Sequence, residues 1–423
     1  MTIKGNIYQF LRRTQKYTGL DNVYLAKGVS WLSLGQLGEI FFSLTLGIVW
    51  ARFIPKEIFG QYKFVLSVAS LFAIFSLTGM QASLVRSVAK GLEGTIKEVL
   101  KTKLRWSTLA LLAGLSLAAY YWFQDNRVLA ASFLIAGIGS PIINSFALYG
   151  AYTTGKKRFD IGTRYYLARN FLDTFAVFIA ILFTKNIIHL ILVYFAVNSF
   201  LAAFFYFLAI KKMPPNQKTD PEAIGYGKEL SLLGLVGRGA EQIDKILVFH
   251  YLGAVELAIY SFATAMPNYI GNITSNLKEL ALPKLSAVDE SAVKKTVLPR
   301  VIMYGLFLAA IILIYILLAE YIFKIFFPAY TESVFYSRIY ALSFLGSVAF
   351  LPRLTLLARK KTGILFQNDI TTTIVRISII FVMLQYFGLL GIIVGQVIYS
   401  FIDPLIAFFF FKKSYSSKIA NRL

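Results

Sequence analysis

The sequence contains no cysteine and only two histidines, His189 and His250, which are far apart in the chain. The absence of thiols excludes disulfide bonds and thiolate metal sites, and two isolated imidazoles cannot form a histidine-rich metal centre. Charged residues are also scarce, at 15% of the chain. We therefore predict that the protein holds no metal and no resident cofactor.

Patterns typical of catalysis are missing as well. The sequence shows no Ser/His/Asp set, no acidic metal motif and no phosphate-binding loop. The segment GLVGRG (234–239) is not a nucleotide-binding fingerprint, because such a fingerprint follows a strand and no strand is predicted before this segment. We therefore predict that the protein is not an enzyme and has no catalytic residues. A membrane glycosyltransferase or polymerase stays open as an alternative, although it should carry a large outer loop, and the longest outer connection is 320–333.

Apolar residues dominate what is present. Hydrophobic residues make up 57% of the 423 residues, aromatic residues 16%, and the mean hydropathy is +0.65. A membrane helix needs about 20 apolar residues, and the stretches are too long for barrel strands and do not alternate. They predict an all-α integral membrane protein with twelve transmembrane helices. The stretches are 29–52, 61–81, 106–123, 128–151, 163–184, 187–210, 229–251, 256–277, 298–319, 334–357, 364–386 and 388–411.

Basic residues outnumber acidic ones by 43 to 21, which gives a net charge of +22. If the N-terminus is cytoplasmic, 32 of the 43 basic residues lie in cytoplasmic segments. Six are counted with the outer segments, and these are Arg52, Lys56, Lys63, Arg127, Lys185 and Lys324. This bias is typical of membrane proteins, and it predicts that both termini are cytoplasmic. Because the topology accounts for the charge, we expect no nucleic-acid partner.

The chain divides into two halves at a polar, proline-rich connector. We predict an N-terminal six-helix lobe (1–212), a cytoplasmic linker (213–228) and a C-terminal six-helix lobe (229–423). Each half has one long basic loop after its second span, at 82–105 and 277–300. An even number of spans per half implies parallel repeats, which predicts two six-helix lobes around a central cavity.

The first of these loops has basic residues on one helical face and apolar residues mostly elsewhere. Two interpretations are open: a helix that lies on the inner leaflet, or a solvated basic helix. The basic residues are Arg86, Lys90, Lys97, Lys101 and Arg105.

Charged residues inside the predicted spans carry the functional information, because a charge in a lipid-facing position costs about 2.5–3.5 kcal/mol. In span seven, Arg238, Glu241 and Lys245 share one helical face, and Asp244 lies at its edge. This face must line a polar cavity or a helix interface. Span five has Arg169 and Asp173 one turn apart, and this spacing also fits an ion pair that fixes helix packing.

The mixture of charges suggests what the cavity binds. Arginine and lysine bind phosphate, so the cations predict a cargo with a phosphate or another anion. The predicted substrate-binding residues are Arg238, Lys245, Arg376 and Arg169. Carboxylates in the spans suit a coupling proton or Na⁺. The predicted coupling residues are Glu241, Asp244, Glu39, Asp173 and Asp403.

Two windows of the sequence resemble oligosaccharide-repeat flippases of the O-antigen (Wzx-like) type, within the multidrug/oligosaccharidyl-lipid/polysaccharide exporter superfamily. In residues 28–65, the end of the first span and the turn after it match the family at Ala51, Arg52, Pro55, Phe59, Gly60 and Tyr62. In residues 241–267, span seven and the next turn match at Asp244, Lys245, Leu252, Gly253, Ala258, Tyr260 and Ala263. The chain lacks the extra pair of C-terminal spans of the fourteen-span lipid II flippases.

The resemblance implies alternating access by two six-helix lobes. It also implies a cargo, an undecaprenyl-pyrophosphate-linked oligosaccharide that moves across the bacterial plasma (inner) membrane for lipopolysaccharide or another surface polysaccharide. The expected partners are this lipid-linked oligosaccharide, inner-membrane phospholipids and other polysaccharide assembly proteins. A multidrug exporter of the same superfamily is the main alternative, although a cation exporter should have an acidic cavity.

Overall fold

The computed structural model describes residues 22–286, 290–346 and 362–420, and within these ranges all regular secondary structure is helical. The helices, in chain order, are α1 (Asn22–Phe53), α2 (Lys56–Phe75), α3 (Met80–Ala89), α4 (Thr95–Trp106), α5 (Thr108–Phe123), α6 (Arg127–Phe146), α7 (Leu148–Gly155), α8 (Phe159–Phe183), α9 (Ile187–Lys212), α10 (Ala223–Leu252), α11 (Ala254–Ser286), α12 (Glu290–Phe326), α13 (Ser333–Ala341), α14 (Ser343–Gly346) and α15 (Thr362–Ala420). A 3₁₀ helix covers Pro328–Tyr330.

Eight helical segments in the described residues are long and apolar enough to cross a membrane. They are Ser30–Phe53, Lys56–Phe75, Thr95–Phe123, Arg127–Gly155, Phe159–Phe183, Ile187–Lys212, Met303–Phe326 and Gly363–Lys412. The last has 50 residues and contains a non-helical residue, Gly388, so each of its two parts is long enough for one crossing. The protein is therefore an all-α, multi-pass membrane protein, as predicted.

The predicted number of twelve spans stays a prediction. Helices α10 and α11 contain 30 and 33 residues, which is long enough to cross, but both are less apolar than the eight segments. The tenth predicted span, 334–357, extends into residues 347–361, which lie outside the described ranges.

The described residues form two compact units. Unit 1 comprises residues 22–47, 75–184 and 188–231, and unit 2 comprises residues 48–74, 185–187 and 232 onwards. The predicted lobes, 1–212 and 229–423 with the linker 213–228, stay a prediction.

In unit 1 the basic loop 82–105 forms helices α3 and α4, which are separated by Gly91 in a left-handed conformation (φ 81°). Its apolar side chains are buried in a core with Leu148 and Tyr152. They do not face the inner leaflet, as one interpretation of this loop expected, because α7 covers them. The five basic side chains named for this face are exposed, which agrees with a solvated basic face. A sixth basic residue of the loop, Lys103, is buried and donates a hydrogen bond of 2.6 Å to the carbonyl of Ser76.

The connector after α9 is held against α3 and α4. The N–H of Gly94 donates a hydrogen bond of 2.9 Å to the carbonyl of Lys218, and the hydroxyl of Ser87 donates one of 2.7 Å to the carboxylate of Asp220. The N–H of Asp220 donates in turn to the hydroxyl of Thr95. The proline-rich segment is therefore an ordered part of unit 1 and not a free tether.

In unit 2 the turn between α1 and α2 packs against α11 and the segment after α12. The Arg52 guanidinium donates a hydrogen bond of 2.7 Å to the carbonyl of Ile325, and Lys56 forms an ion pair with Glu332. A side chain at Gly60 would collide with the backbone of Ala254, so only glycine allows this approach. The turn residues that carry the family resemblance are thus needed for close packing.

Candidate functional site

Unit 1 contains a cavity of about 420 Å³ between α1, α7 and α8. Glu39 and Arg169, two of the predicted site residues, both line it. Glu39 is exposed, and Tyr166 lines the same cavity. The cavity therefore places one acidic and one basic group beside hydroxyl and amide donors, which is an arrangement that suits a small cation or a charged headgroup.

The predicted pair of Arg169 and Asp173 is joined through a third residue, Asn198 of α9. Arg169 Nη2 donates a hydrogen bond of 3.1 Å to Asn198 Oδ1, and Asn198 Nδ2 donates to the carboxylate of Asp173. Asn198 is buried. The amide satisfies both charged groups at once, so this set connects α8 to α9 and leaves Asp173 less available than Glu39.

A second polar cluster lies in unit 2 around Asp244. Its carboxylate accepts hydrogen bonds from the hydroxyl of Tyr260 and, at 3.1 Å, from Gln396 Nε2. The Arg376 guanidinium lies 3.8 Å from the same oxygen. Asp244 is buried, with 6% of its surface exposed. Helices α10, α11 and α15 therefore meet at one carboxylate that is well supplied with donors.

Arg376 is also connected to a second acidic group, Asp403, through the side chain of Tyr399. Its guanidinium carbon lies 5.8 Å from the centre of the Tyr399 ring, and the Tyr399 hydroxyl donates a hydrogen bond of 3.1 Å to Asp403. Within the described residues, Arg376 Nε is buried and has no hydrogen-bond partner. The three predicted site residues Asp244, Arg376 and Asp403 thus belong to one network.

The other predicted residues of α10 lie outside this network. Arg238 and Glu241 are exposed, and Lys245 is half-buried, with its ammonium donating a hydrogen bond of 3.0 Å to Gln242 Oε1. Asp244 and Lys245 are neighbours in sequence but point in directions about 100° apart around the helix. Helix α10 therefore has one buried face centred on Asp244 and one accessible charged face.

Sequence reasoning did not single out Asn198 or Gln396 as site residues. Each is an amide inside an apolar stretch, and this is the one signal that could have identified it. Their partners lie on other helices, so spacing along the chain does not reveal the contacts. In the described residues no group of three or more His, Asp or Glu side chains is arranged to hold a metal ion.

Comparison with solved structures places the fold among transporters. The chain is similar to a multidrug resistance MATE family transporter of the MOP superfamily in its inward-facing conformation, with a TM-score of 0.66, 11% identity, and coverage of 92% of this chain and 98% of the other. It is similar to the lipid II flippase MurJ, with a TM-score of 0.68, 15% identity, and coverage of 89% and 86%.

A third similar structure is a MOP superfamily transporter from Pyrococcus furiosus, described as having a binding pocket of reverse polarity. Its TM-score is 0.50 at 13% identity, with coverage of 93% and 94%. At these identities the likeness establishes the fold, which is that of MATE and MurJ transporters. Two of these neighbours are described as transporters and one as a flippase.

Sequence comparison gives the family. No curated protein matches the chain. The profile of the family described as polysaccharide biosynthesis protein matches residues 49–334, which include both windows of resemblance from Ala51 onwards. Because this match covers more than half of the 423 residues, the chain belongs to the polysaccharide biosynthesis protein family.

Proposed function

We propose that the protein is a flippase that moves an undecaprenyl-pyrophosphate-linked oligosaccharide repeat unit from the inner to the outer leaflet of a bacterial plasma membrane. The observation that carries the proposal is the joint assignment of a polysaccharide biosynthesis family and a transporter fold. A protein of this family with a flippase fold needs a saccharide cargo that can cross a membrane, and a lipid-linked oligosaccharide meets that need.

The cations of the spans support an anionic cargo. Arg238 and Lys245 lie on the accessible face of α10, and neither forms an ion pair within the described part of the chain. Arg169 lines the cavity of unit 1, and Arg376 lies beside Asp244. We assign binding of the pyrophosphate to these four residues. Lys245 and Arg238 rank first because they lie on the accessible face without a carboxylate partner among the described residues, whereas Arg169 is bound to Asn198 and Arg376 lies beside Asp244.

Glu39 is the strongest candidate for coupling to a proton or Na⁺. Of the five acidic residues assigned to coupling, Asp244, Asp173 and Asp403 accept hydrogen bonds from other side chains in the protein interior. Glu39 and Glu241 are exposed, and Glu39 lines a cavity. A carboxylate that exchanges its ion during each cycle must be reachable, which favours Glu39.

A multidrug exporter is the competing function, because MATE transporters share the fold. An exporter of organic cations needs an accessible acidic cavity, whereas the accessible face of α10 carries two cations and one carboxylate. The balance of charge favours the anionic cargo. The proposal includes the topology that the basic residues predict, with both termini in the cytoplasm, and the expected partners, which are inner-membrane phospholipids and other polysaccharide assembly proteins.

The test is transport by the purified protein in proteoliposomes. The cargo is a fluorescent undecaprenyl-pyrophosphate-linked oligosaccharide, and a membrane-impermeant quencher reports which leaflet it occupies. We expect the protein to move the lipid between leaflets faster than empty vesicles do. Efflux of a cationic dye without movement of the lipid would support the multidrug exporter instead. In cells, deletion of the gene should cause the lipid-linked intermediate to accumulate, and its glycan identifies the cargo.

A further inference from the structure

Helix α2 carries a lysine, Lys63, that the sequence analysis counted with the outer segments. The structure places it two turns inside the helix Lys56–Phe75, where it is half-buried. Its ammonium lies 5.2 Å from the centre of the Phe59 ring. Lys63 is therefore a cation of a membrane helix, and its charge needs an explanation.

Packing between α2 and α10 brings Lys63 towards Lys245. The rings of Phe64 and Phe249 stack with centroids 3.8 Å apart and an angle of 3° between their planes. Phe64 follows Lys63 directly, and Phe249 lies one turn after Lys245, so the two lysines occupy neighbouring parts of the same contact. Like charges in neighbouring parts of one helix contact repel each other.

Neither lysine has a counterion that offsets this repulsion. Within the described residues, neither Lys63 nor Lys245 forms an ion pair, and the carboxylate of Asp244 is directed to Tyr260, Gln396 and Arg376. Two like charges in a site of low dielectric constant cost free energy unless an anion lies between them. The cation–π contact of Lys63 with Phe59 does not replace a counterion, because the ring attracts the ammonium but carries no net charge.

We propose that Lys63 and Lys245 form one dibasic site for a phosphate or pyrophosphate group, with Lys63 as a second cation contributed by α2. The site rests on the proposed function and deepens it, since it names the residue that completes the recognition of the anionic part of the cargo. A diphosphate has enough negative charge and enough oxygens to accept hydrogen bonds from two ammonium groups at once.

The test separates a binding role from a structural one. Purified wild type, K63Q, K63E, K63R and the control K324A are compared by thermal unfolding, alone and with each of three probes. The probes are undecaprenyl pyrophosphate, undecaprenyl phosphate and inorganic pyrophosphate. Lys324 is a suitable control because it is an exposed lysine of unit 2 that pairs with Glu320.

We expect K63Q and K63E without a probe to be at least as stable as wild type, because both changes remove repulsion and K63E adds an attraction to Lys245. Both should nevertheless lose the stabilisation by undecaprenyl pyrophosphate, with affinity lower by roughly 10-fold or more, since a charge-assisted bond is lost. K63R should keep part of the affinity, and K324A all of it. If inorganic pyrophosphate stabilises these proteins in the same pattern as undecaprenyl pyrophosphate does, the anionic group alone is sufficient for binding. A response to both lipids but not to inorganic pyrophosphate would mean that the lipid chain contributes.

Three outcomes would overturn the site. Unchanged affinity in K63Q and K63E, with wild type binding the pyrophosphate, would reject Lys63 and leave the proposed flippase intact. Lower stability of both variants without a probe would assign Lys63 to packing. Failure of wild type to bind any of the three probes would reject both the dibasic site and the proposed function.

Discussion

The carboxylate of Asp244 lies 3.8 Å from the guanidinium of Arg376, which joins α10 to α15 in unit 2. The same carboxylate also accepts hydrogen bonds from the hydroxyl of Tyr260 and from Gln396 Nε2. Both members of the pair are predicted site residues, one for coupling and one for the cargo. In this conformation their charges neutralise each other. A change at either residue can therefore reduce transport by destabilising the protein, so stability and transport have to be measured separately.

We expect D244N to destabilise the protein by about 3–5 kcal/mol, because loss of one partner leaves a buried guanidinium without a counterion. R376Q should have a similar effect. The double variant D244N/R376Q should be clearly more stable than the sum of the two changes predicts, because it removes both charges. Thermal unfolding of the purified variants measures this coupling.

Transport by the same variants then decides the role of Arg376. If its task is only to balance Asp244, the double variant should regain transport together with stability. A double variant that is stable but inactive would show that Arg376 contacts the cargo. Strictly additive losses of stability would mean that the two residues do not act as a pair.

Lys245 lies on the accessible face of α10, and its replacement tests binding of the pyrophosphate. We expect K245A to reduce transport while the amount of inserted protein stays normal, and K245R to retain part of the activity. Loss of one charge-assisted bond corresponds to roughly a 10- to 150-fold weaker affinity for the lipid-linked cargo. K228A is the matched control, since Lys228 lies on the same helix and contacts Trp106 instead. Normal transport by K245A would remove this residue from the binding site.

Much of the fold could be predicted because a membrane helix is a local property of the sequence. Hydropathy alone places predicted spans at 364–386 and 388–411, and the structure has its break at Gly388, the first residue of the second span. The spacing of Arg238, Glu241 and Lys245 likewise indicates one charged face, since helical periodicity is fixed. These features need no knowledge of which helices are neighbours.

The contacts of the charged residues could not be predicted in the same way. Asn198 bridges Arg169 and Asp173 from another helix, and Gln396 reaches Asp244 from α15. Lys63 was counted with the outer segments although it lies at the start of the predicted span 61–81, because hydropathy does not show that α2 already begins at Lys56. These relationships depend on helix packing, which sequence periodicity does not specify.

Glu39 is exposed and lines the cavity of unit 1, so its charge can be removed with little effect on packing. We expect E39Q to fold normally and to lose the dependence of transport on a proton or Na⁺ gradient, because a glutamine side chain cannot exchange either ion. Transport in proteoliposomes, with and without each gradient, measures this dependence. The control E98Q changes an exposed glutamate of α4 and should behave like wild type. A gradient response in E39Q equal to that of wild type would exclude Glu39 as the coupling group.

The bias of basic residues predicts the topology, and the absence of cysteine makes it simple to test. We expect cysteines at Gln124 and Thr331 to react with an impermeant maleimide in intact spheroplasts. Cysteines at Lys97 and Lys218 should react only after permeabilisation. All four positions are exposed, so lack of reaction reports the side of the membrane and not burial. Labelling of Lys97→Cys in intact spheroplasts would reverse the assigned orientation.

Asp220 fixes the connector to α3, and its ionisation should set a pH dependence. The hydroxyl of Ser87 and the N–H of Glu222 donate hydrogen bonds to its carboxylate, which lowers the pKa of Asp220 below its ordinary value. Because the folded protein then binds the proton more weakly than the unfolded chain does, the ionised group stabilises the fold. This contribution is fully present above the pKa of an unfolded aspartate, about 3.9, and is lost as the pH falls through the folded pKa.

We therefore expect D220N to be less stable than wild type at pH 7, by about 1–2 kcal/mol for the weakened hydrogen bonds. The difference should shrink as the pH is lowered from 5 to 3, because wild type then loses its charge as well. Thermal unfolding of the purified proteins across this range measures the difference. E222Q is the control, because Glu222 forms only an exposed ion pair of 3.7 Å with Arg86, and exposed pairs contribute little. If the difference between D220N and wild type were the same at pH 7 and pH 3, the charge of Asp220 would play no part in holding the connector.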